Sequence, residues 1–162
     1  MKKKSNPNRS SGVLLHITSL PGPYGIGEIG IESKRFVDNL VSMGQDYWQI
    51  LPTNCPEQCD SPYDTNSAFA QNPFLISLDD LLEDELIKSS DLEPIPTFSK
   101  RRVDYNKVKS WKYPILKKAA SNFQLKKDQK FSDYKDFCNK QKFWLNDYAV
   151  FMVIKELSLI HI

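Results

Sequence analysis

GVLLHI at residues 12–17 and YWQIL at residues 47–51 are two short apolar runs that bracket one amphipathic stretch. Runs of this length between turn residues read as buried strands. Between them, Ile31 to Met43 reads as a helix, with Phe36, Val37, Leu40 and Val41 on one face and Lys34, Arg35 and Asp38 facing out. Gly44 supplies a left-handed stop just past its end. Strand, helix and strand within about 40 residues predict a right-handed βαβ unit with parallel strands.

Working outward, residues 1–11 form a basic, polar lead-in that is expected to be disordered. Thr18 to Gly30 is a loop rich in Pro and Gly. Its last six residues, Gly25-Ile-Gly-Glu-Ile-Gly30, match G-x-G-x-x-G and lie between a strand and a helix. A dinucleotide site places the first glycine in the tight turn at the strand end. Here Pro21 and Pro23 intervene, and the second strand is followed by Pro52 and Thr53 rather than an acidic ribose ligand. The glycines therefore read as residues that let the loop turn tightly.

Beyond the second strand, residues 52–73 form a long loop, of the kind that is usually functional inside a compact domain. Phe74 to Leu78 reads as a short strand, Asp79 to Ile87 as a short helix with a solvated acidic face, and 88–103 as irregular. Val108, Trp111, Ile115, Ala119 and Phe123 then follow helical spacing, with Pro114 expected to start or kink a helix. Ser132 reads as an N-cap, and Asn146 or Asp147 as the cap of a further helix. The aromatic stripe through Tyr134, Phe137, Trp144, Tyr148 and Phe151 reads as core. Lys126 to Lys130 reads as a solvated face.

The 162 residues carry 22 Lys plus Arg against 20 Asp plus Glu, a formal charge of +2, which excludes the strongly basic footprint of a nucleic-acid binder. No apolar run approaches the roughly 18 residues of a membrane helix. Val13 to Leu15 is too short for the core of a signal peptide, so a cytoplasmic location is expected. Cys55, Cys59 and Cys138 are odd in number, unlike a secreted disulfide framework. Cys55 and Cys59 lack the further ligands that a zinc site of about four would need. Reduced thiols and no bound metal are expected. A complete β/α barrel usually needs about 250 residues, so the length suits one compact domain or part of a larger one.

The 52–73 loop concentrates the chemistry. Loops after parallel strands lie at the C-terminal face, where ligands bind. Tyr63 and Trp48 offer flat faces to the C–H face of a pyranose, and Asp60, Ser61 and Asn72 offer polar groups to hydroxyls. The same residues equally suit a rigid loop whose aromatics pack beneath it.

RSSGVLLHITSLPGPYGIGEIG (9–30), YWQILP (47–52), DSPYDTNSAFAQNPFLISLDDL (60–81), RVDYNKV (102–108) and WLNDYAVFMVIKE (144–156) together resemble the N-terminal third of the amylomaltases, the 4-α-glucanotransferases of glycoside hydrolase family 77. The resemblance implies an α/β fold: the first βα units of a (β/α)8 barrel over residues 12–103, followed by an inserted helical subdomain over 104–162. It implies transfer of a segment of an α-1,4-glucan to a 4-hydroxyl of an acceptor sugar, with retention through a covalent glycosyl-enzyme and without metal or organic cofactor. Such chemistry needs two carboxyl groups roughly 5–5.5 Å apart. By resemblance Asp60, Ser61, Pro62 and Tyr63 line acceptor-side subsites. His16, Thr18, Ser19, Leu20 and Pro21 belong to the floor of the active site, with His16 and Ser19 as lesser candidates for substrate contact. Asp64 stands where the family has Gln, and Gln58 where some members have an aromatic.

The family's nucleophile, acid/base and stabilising carboxylates belong to later barrel strands, so the chain alone is expected to be inactive. A non-catalytic glucan-binding module, or one half of a split enzyme completed by a C-terminal partner, are the alternatives. With two or three strands, an open sheet edge and weak stability are expected.

Overall fold

The structure is a computed structural model that describes residues 9–57, 60–126 and 129–158. The lead-in through Asn8, Gln58 with Cys59, and the tail with His161 lie outside the described residues. The predicted βαβ unit is present: β1 (Gly12–Leu14), α1 (Ile31–Ser42) and β2 (Tyr47–Gln49). The strands pair in parallel, with Gly12 opposite Tyr47, Val13 opposite Trp48 and Leu14 opposite Gln49. Gly12 is required there, because a Cβ would stand 2.7 Å from the Tyr47 carbonyl oxygen.

Both strands are shorter than the apolar runs that encode them. Ile17–Ser19 leaves the sheet as a 3-10 turn, and Leu15 N–H makes the last bond, to Gln49 O at 3.0 Å. α1 stops as predicted. Gly44 sits at φ 70°, Gly44 N–H bonds Val41 O, and Gln45 N–H bonds Leu40 O, a Schellman closure. Its apolar stripe is only half covered. Leu40 is buried and the Phe36 ring meets Trp48 edge-on at 4.9 Å, whereas Val37 and Val41 remain exposed.

The expected strand at Phe74 to Leu78 is a 3-10 turn over Pro73–Leu75. Local chemistry overrides the apolar run: Asn72 Oδ1 accepts from Phe74 N–H at 3.0 Å and Pro73 presets the first turn dihedral. Only one strand-like bridge survives, Ile29 with Ile76. Ser77 then caps α2 (Leu78–Glu83), accepting from Asp80 N–H at 3.1 Å. α2 ends earlier than expected. Glu85 turns into the left-handed region at φ 55°, which drops Leu86 and Ile87 into a cluster with Tyr24, Leu78, Leu92, Ile115 and Ala119.

α3 (Tyr105–Leu125) begins at Asp104, whose carboxylate accepts from Lys107 N–H, and continues through Pro114 instead of starting there. Val108, Lys112, Ile115 and Ala119 are its buried positions. α4 (Gln129–Leu157) is unbroken, so neither Ser132 nor Asn146 or Asp147 caps a helix start. No Gly or Pro interrupts residues 129–157.

The aromatic stripe of α4 is not the core that its spacing predicted. Phe137, Phe143 and Phe151 are exposed, as are Val150, Val153, Ile154 and Leu157. Trp144 and Tyr148 are half-buried, with the Phe69 ring stacked on Trp144, so periodicity secured only partial burial of the stripe. Of the Lys126 to Lys130 run, residues 127 and 128 lie outside the described residues, and the lysines at its two ends have partners. Lys126 Nζ donates to Asp84 O at 2.6 Å, and Lys130 pairs with the Asp84 carboxylate.

Candidate functional site

The 52–73 loop folds back on itself as two arms. Asn54 bridges to Gln71 and Pro56 to Thr65 in antiparallel fashion. Asn54 Nδ2 ties the arms together, donating to Ser67 O at 3.0 Å and to Ala70 O at 3.1 Å. At the tip, Asp64 N–H closes a turn onto Ser61 O at 3.0 Å, with Pro62 and Tyr63 between them. Ser61 Oγ accepts from Tyr63 N–H at 3.3 Å. Tyr63 is 71% exposed. Its ring therefore stands on a backbone held by hydrogen bonds rather than packing beneath the loop.

Asp60 begins this lip in the left-handed region, at φ 54°. Its carboxylate accepts from Lys109 Nζ at 2.9 Å. It also lines an open groove of about 1260 Å³ between Thr18–Gly22 and residues 99–106. Thr18, Ser19, Tyr105 and Asn106 bring hydroxyl, phenol and amide groups to this groove, and Lys100, Arg101 and Arg102 rim it. The carboxylates in its wall are Asp60 and Asp104. Asp60 is ion-paired with Lys109, and Asp104 caps α3. Each carboxylate thus already has a partner within the protein.

The structure does not bring all the predicted residues together. Trp48 lies away from the lip: its indole N–H donates to Leu15 O at 2.7 Å and its ring packs on Phe36, beside Ile17, Leu20 and Leu75. Asn72 is buried, and its side-chain oxygen caps the following turn. Ser61, Pro62 and Tyr63 stand beyond the groove wall that Asp60 and Ser19 form. His16 is half-buried at the end of β1, its Nδ1 has no hydrogen-bond partner among the described residues, and burial lowers its pKa.

Two residues that sequence reasoning passed over organise the region. Lys112 is fully buried on α3; its ammonium bonds the Glu28 carboxylate, Phe74 O at 2.8 Å and Ile76 O at 2.7 Å. Glu28 also accepts from Leu78 N–H at 3.2 Å. Burial pushes the Glu28 carboxyl up and the Lys112 ammonium down, each opposed by the other's charge. The available signal was a lone acidic residue inside the glycine-rich loop. The glycines around it make close approaches: a Cβ on Gly27 would stand 1.9 Å from Ile17 O, and one on Gly30 would stand 2.7 Å from Ser77 Oγ. Gly25 alone needs a positive φ, at 78°.

Cys55, within the loop, is half-buried, and burial raises its thiol pKa, which disfavours the reactive thiolate. No cluster of three or more metal-capable side chains occurs among the described residues. No helix of the described residues is long and apolar enough to cross a membrane.

Comparison with known proteins gives a consistent result. The model of glycoside hydrolase family 77, described as 4-alpha-glucanotransferase, matches residues 15–159. The 4-alpha-glucanotransferase of Aquifex aeolicus is 44% identical over 150 residues, covering 91% of this chain and 29% of the relative. That of Streptococcus pneumoniae (strain TIGR4) is 46% identical over 149 residues, with the same coverage of both. The chloroplastic/amyloplastic enzyme of Solanum tuberosum is 37% identical over 160 residues, of which this chain spans 27%. Among solved structures, an amylomaltase from Streptococcus agalactiae in complex with acarbose matches with a TM-score of 0.85 at 42% identity, covering 91% of this chain and 30% of that one. The chain thus spans less than a third of the length of these relatives.

Proposed function

The chain belongs to the 4-alpha-glucanotransferase family, glycoside hydrolase family 77, and from that premise we propose that it supplies the acceptor-side sugar lip of an α-1,4-glucan transferase. Asp60, Ser61, Pro62 and Tyr63 form that lip, with Ser19 on the adjoining groove wall. The observation that carries this reading is the exposed Tyr63 ring on a hydrogen-bonded turn beside an open groove. A flat apolar face with short polar groups around it is the usual means of holding a pyranose. The acarbose held by the streptococcal amylomaltase makes acarbose and maltooligosaccharides the natural probes.

In this reading the bond-breaking carboxyl pair of the retaining mechanism comes from polypeptide corresponding to the rest of the relatives' length. Residues 12–103 begin a β/α barrel, residues 104 onward belong to its helical insertion, and the whole works in the cytoplasm. Handling of the glucan by this chain without bond cleavage is favoured by one specific observation: Asp60 and Asp104, the groove carboxylates, are both already engaged.

Incubation with maltotriose tests the division of labour. The chain alone is expected to release no glucose and form no longer oligomers. Mixing it with a polypeptide matching the remaining portion of a relative is expected to restore both products. Turnover by the chain alone would overturn the assignment of cleavage to other residues.

A further inference from the structure

The 52–73 loop that carries the lip is braced by the two long helices. On α4, Trp144 stacks on Phe69 at 5.6 Å and Lys155 pairs with Glu57, which holds that carboxyl below its usual range. On α3, Lys109 and Lys112 lie about one turn apart. Lys112 locks α3 to the far end of the loop through Phe74 O and Ile76 O, and to Glu28. Lys109 then reaches the near end, at Asp60. Asp60 is the residue whose left-handed backbone sets the direction in which the lip leaves the groove. A side chain with a Cβ occupies that region uncommonly, although Asp is among those that tolerate it.

We propose that Lys109 is a positioning residue for the sugar lip, its ion pair with Asp60 fixing the pose of the turn that carries Tyr63. Lys109 need not touch the sugar. The inference rests on the reading of the lip as a glucan site. It has an unusual consequence: binding of an uncharged glucan depends on ionic strength, because salt screens a pair whose two side chains are each about one-third exposed (32% and 34%).

The test is calorimetric titration of the chain with maltohexaose at low and high salt. Wild type is expected to bind roughly three-fold more weakly at high salt, an effect within reach of a partly exposed ion pair. Lys109→Met is expected to bind about as weakly as salted wild type and to lose the salt dependence, whereas Lys109→Arg retains both affinity and dependence. Asp60→Asn keeps tolerance of the left-handed backbone, and in that background Lys109→Met is expected to add nothing. Equal affinity of wild type and Lys109→Met, independent of salt, would overturn the proposal while leaving the lip reading intact. An undiminished effect of Lys109→Met in the Asp60→Asn background would also overturn it. No binding by wild type would overturn the lip reading itself and this inference with it.

Discussion

Lys112, on α3, meets Glu28, in the glycine-rich loop before α1, inside the protein, and this buried ion pair joins parts of the chain 84 residues apart. The lysine has no exposed surface and its three acceptors satisfy all three ammonium hydrogens. Removing one partner leaves the other charged and desolvated. Lys112→Ala is expected to destabilise the fold by roughly 3–5 kcal/mol, while a Lys112→Met, Glu28→Leu double variant recovers only the part due to the unpaired charge, because Phe74 O, Ile76 O and Leu78 N–H still lose their partners. Urea unfolding of the two variants checks this. Equal loss in both would show that the bonds to Phe74 O and Ile76 O and the packing, rather than the unpaired charge, matter at this position.

The half-buried His16 gives stability a pH dependence of defined sign. Burial lowers its folded-state pKa below the ordinary value. Its contribution is therefore fully present above about pH 6.5, the unfolded value, and is lost as pH falls through the lower folded value. Urea midpoints of wild type are expected to fall between pH 7.5 and 5, and His16→Phe should flatten that decline. An unchanged decline would assign it to other groups.

Phe69 is 54% exposed yet stacks on Trp144 at 5.6 Å and meets Phe143 edge-on at 5.5 Å. These contacts join the 52–73 loop to α4. Phe69→Ala is expected to remove roughly 0.5–1.5 kcal/mol for each aromatic pair and to raise proteolytic nicking within the loop. Limited proteolysis with mass mapping reads the result. Nicking confined to other segments would contradict the bracing role.

Val150, Val153, Ile154 and Leu157 place apolar surface in solvent along the last turns of α4. Apolar surface of this kind favours association. Light scattering of the purified chain is expected to show concentration-dependent assembly, reduced in a Val153→Glu, Ile154→Glu variant. A monodisperse wild-type chain unaffected by these changes would contradict the expectation.

The first βα unit was legible because short-range signals agree there: two apolar runs, an amphipathic stretch and Gly44 at its end. The stretch around Phe74 is not legible as a strand or a turn from its apolar run, because Asn72 and Pro73 impose a turn on it. Residue type alone makes Trp48 as good a flat face for a sugar as Tyr63, whereas its indole is committed to Leu15 and Phe36. Lys112 was invisible to periodicity, which treats a lysine as an outward-facing residue. The exposure of α4 was equally hidden, since spacing reports which residues share a face but not whether anything covers it. Asp60 stands out both as a polar group of the loop and by resemblance, but its tie to Lys109 spans 49 residues with no local signature.

The most direct measurement is titration of maltohexaose into wild type and Tyr63→Ala at low salt. Tyr63 is so exposed that its truncation should change stability by no more than about 0.5 kcal/mol. Saturable binding by wild type is expected, with at least ten-fold weaker binding by the variant at unchanged thermal midpoint. Wild-type binding that survives the loss of Tyr63, or no binding to either protein, would contradict it.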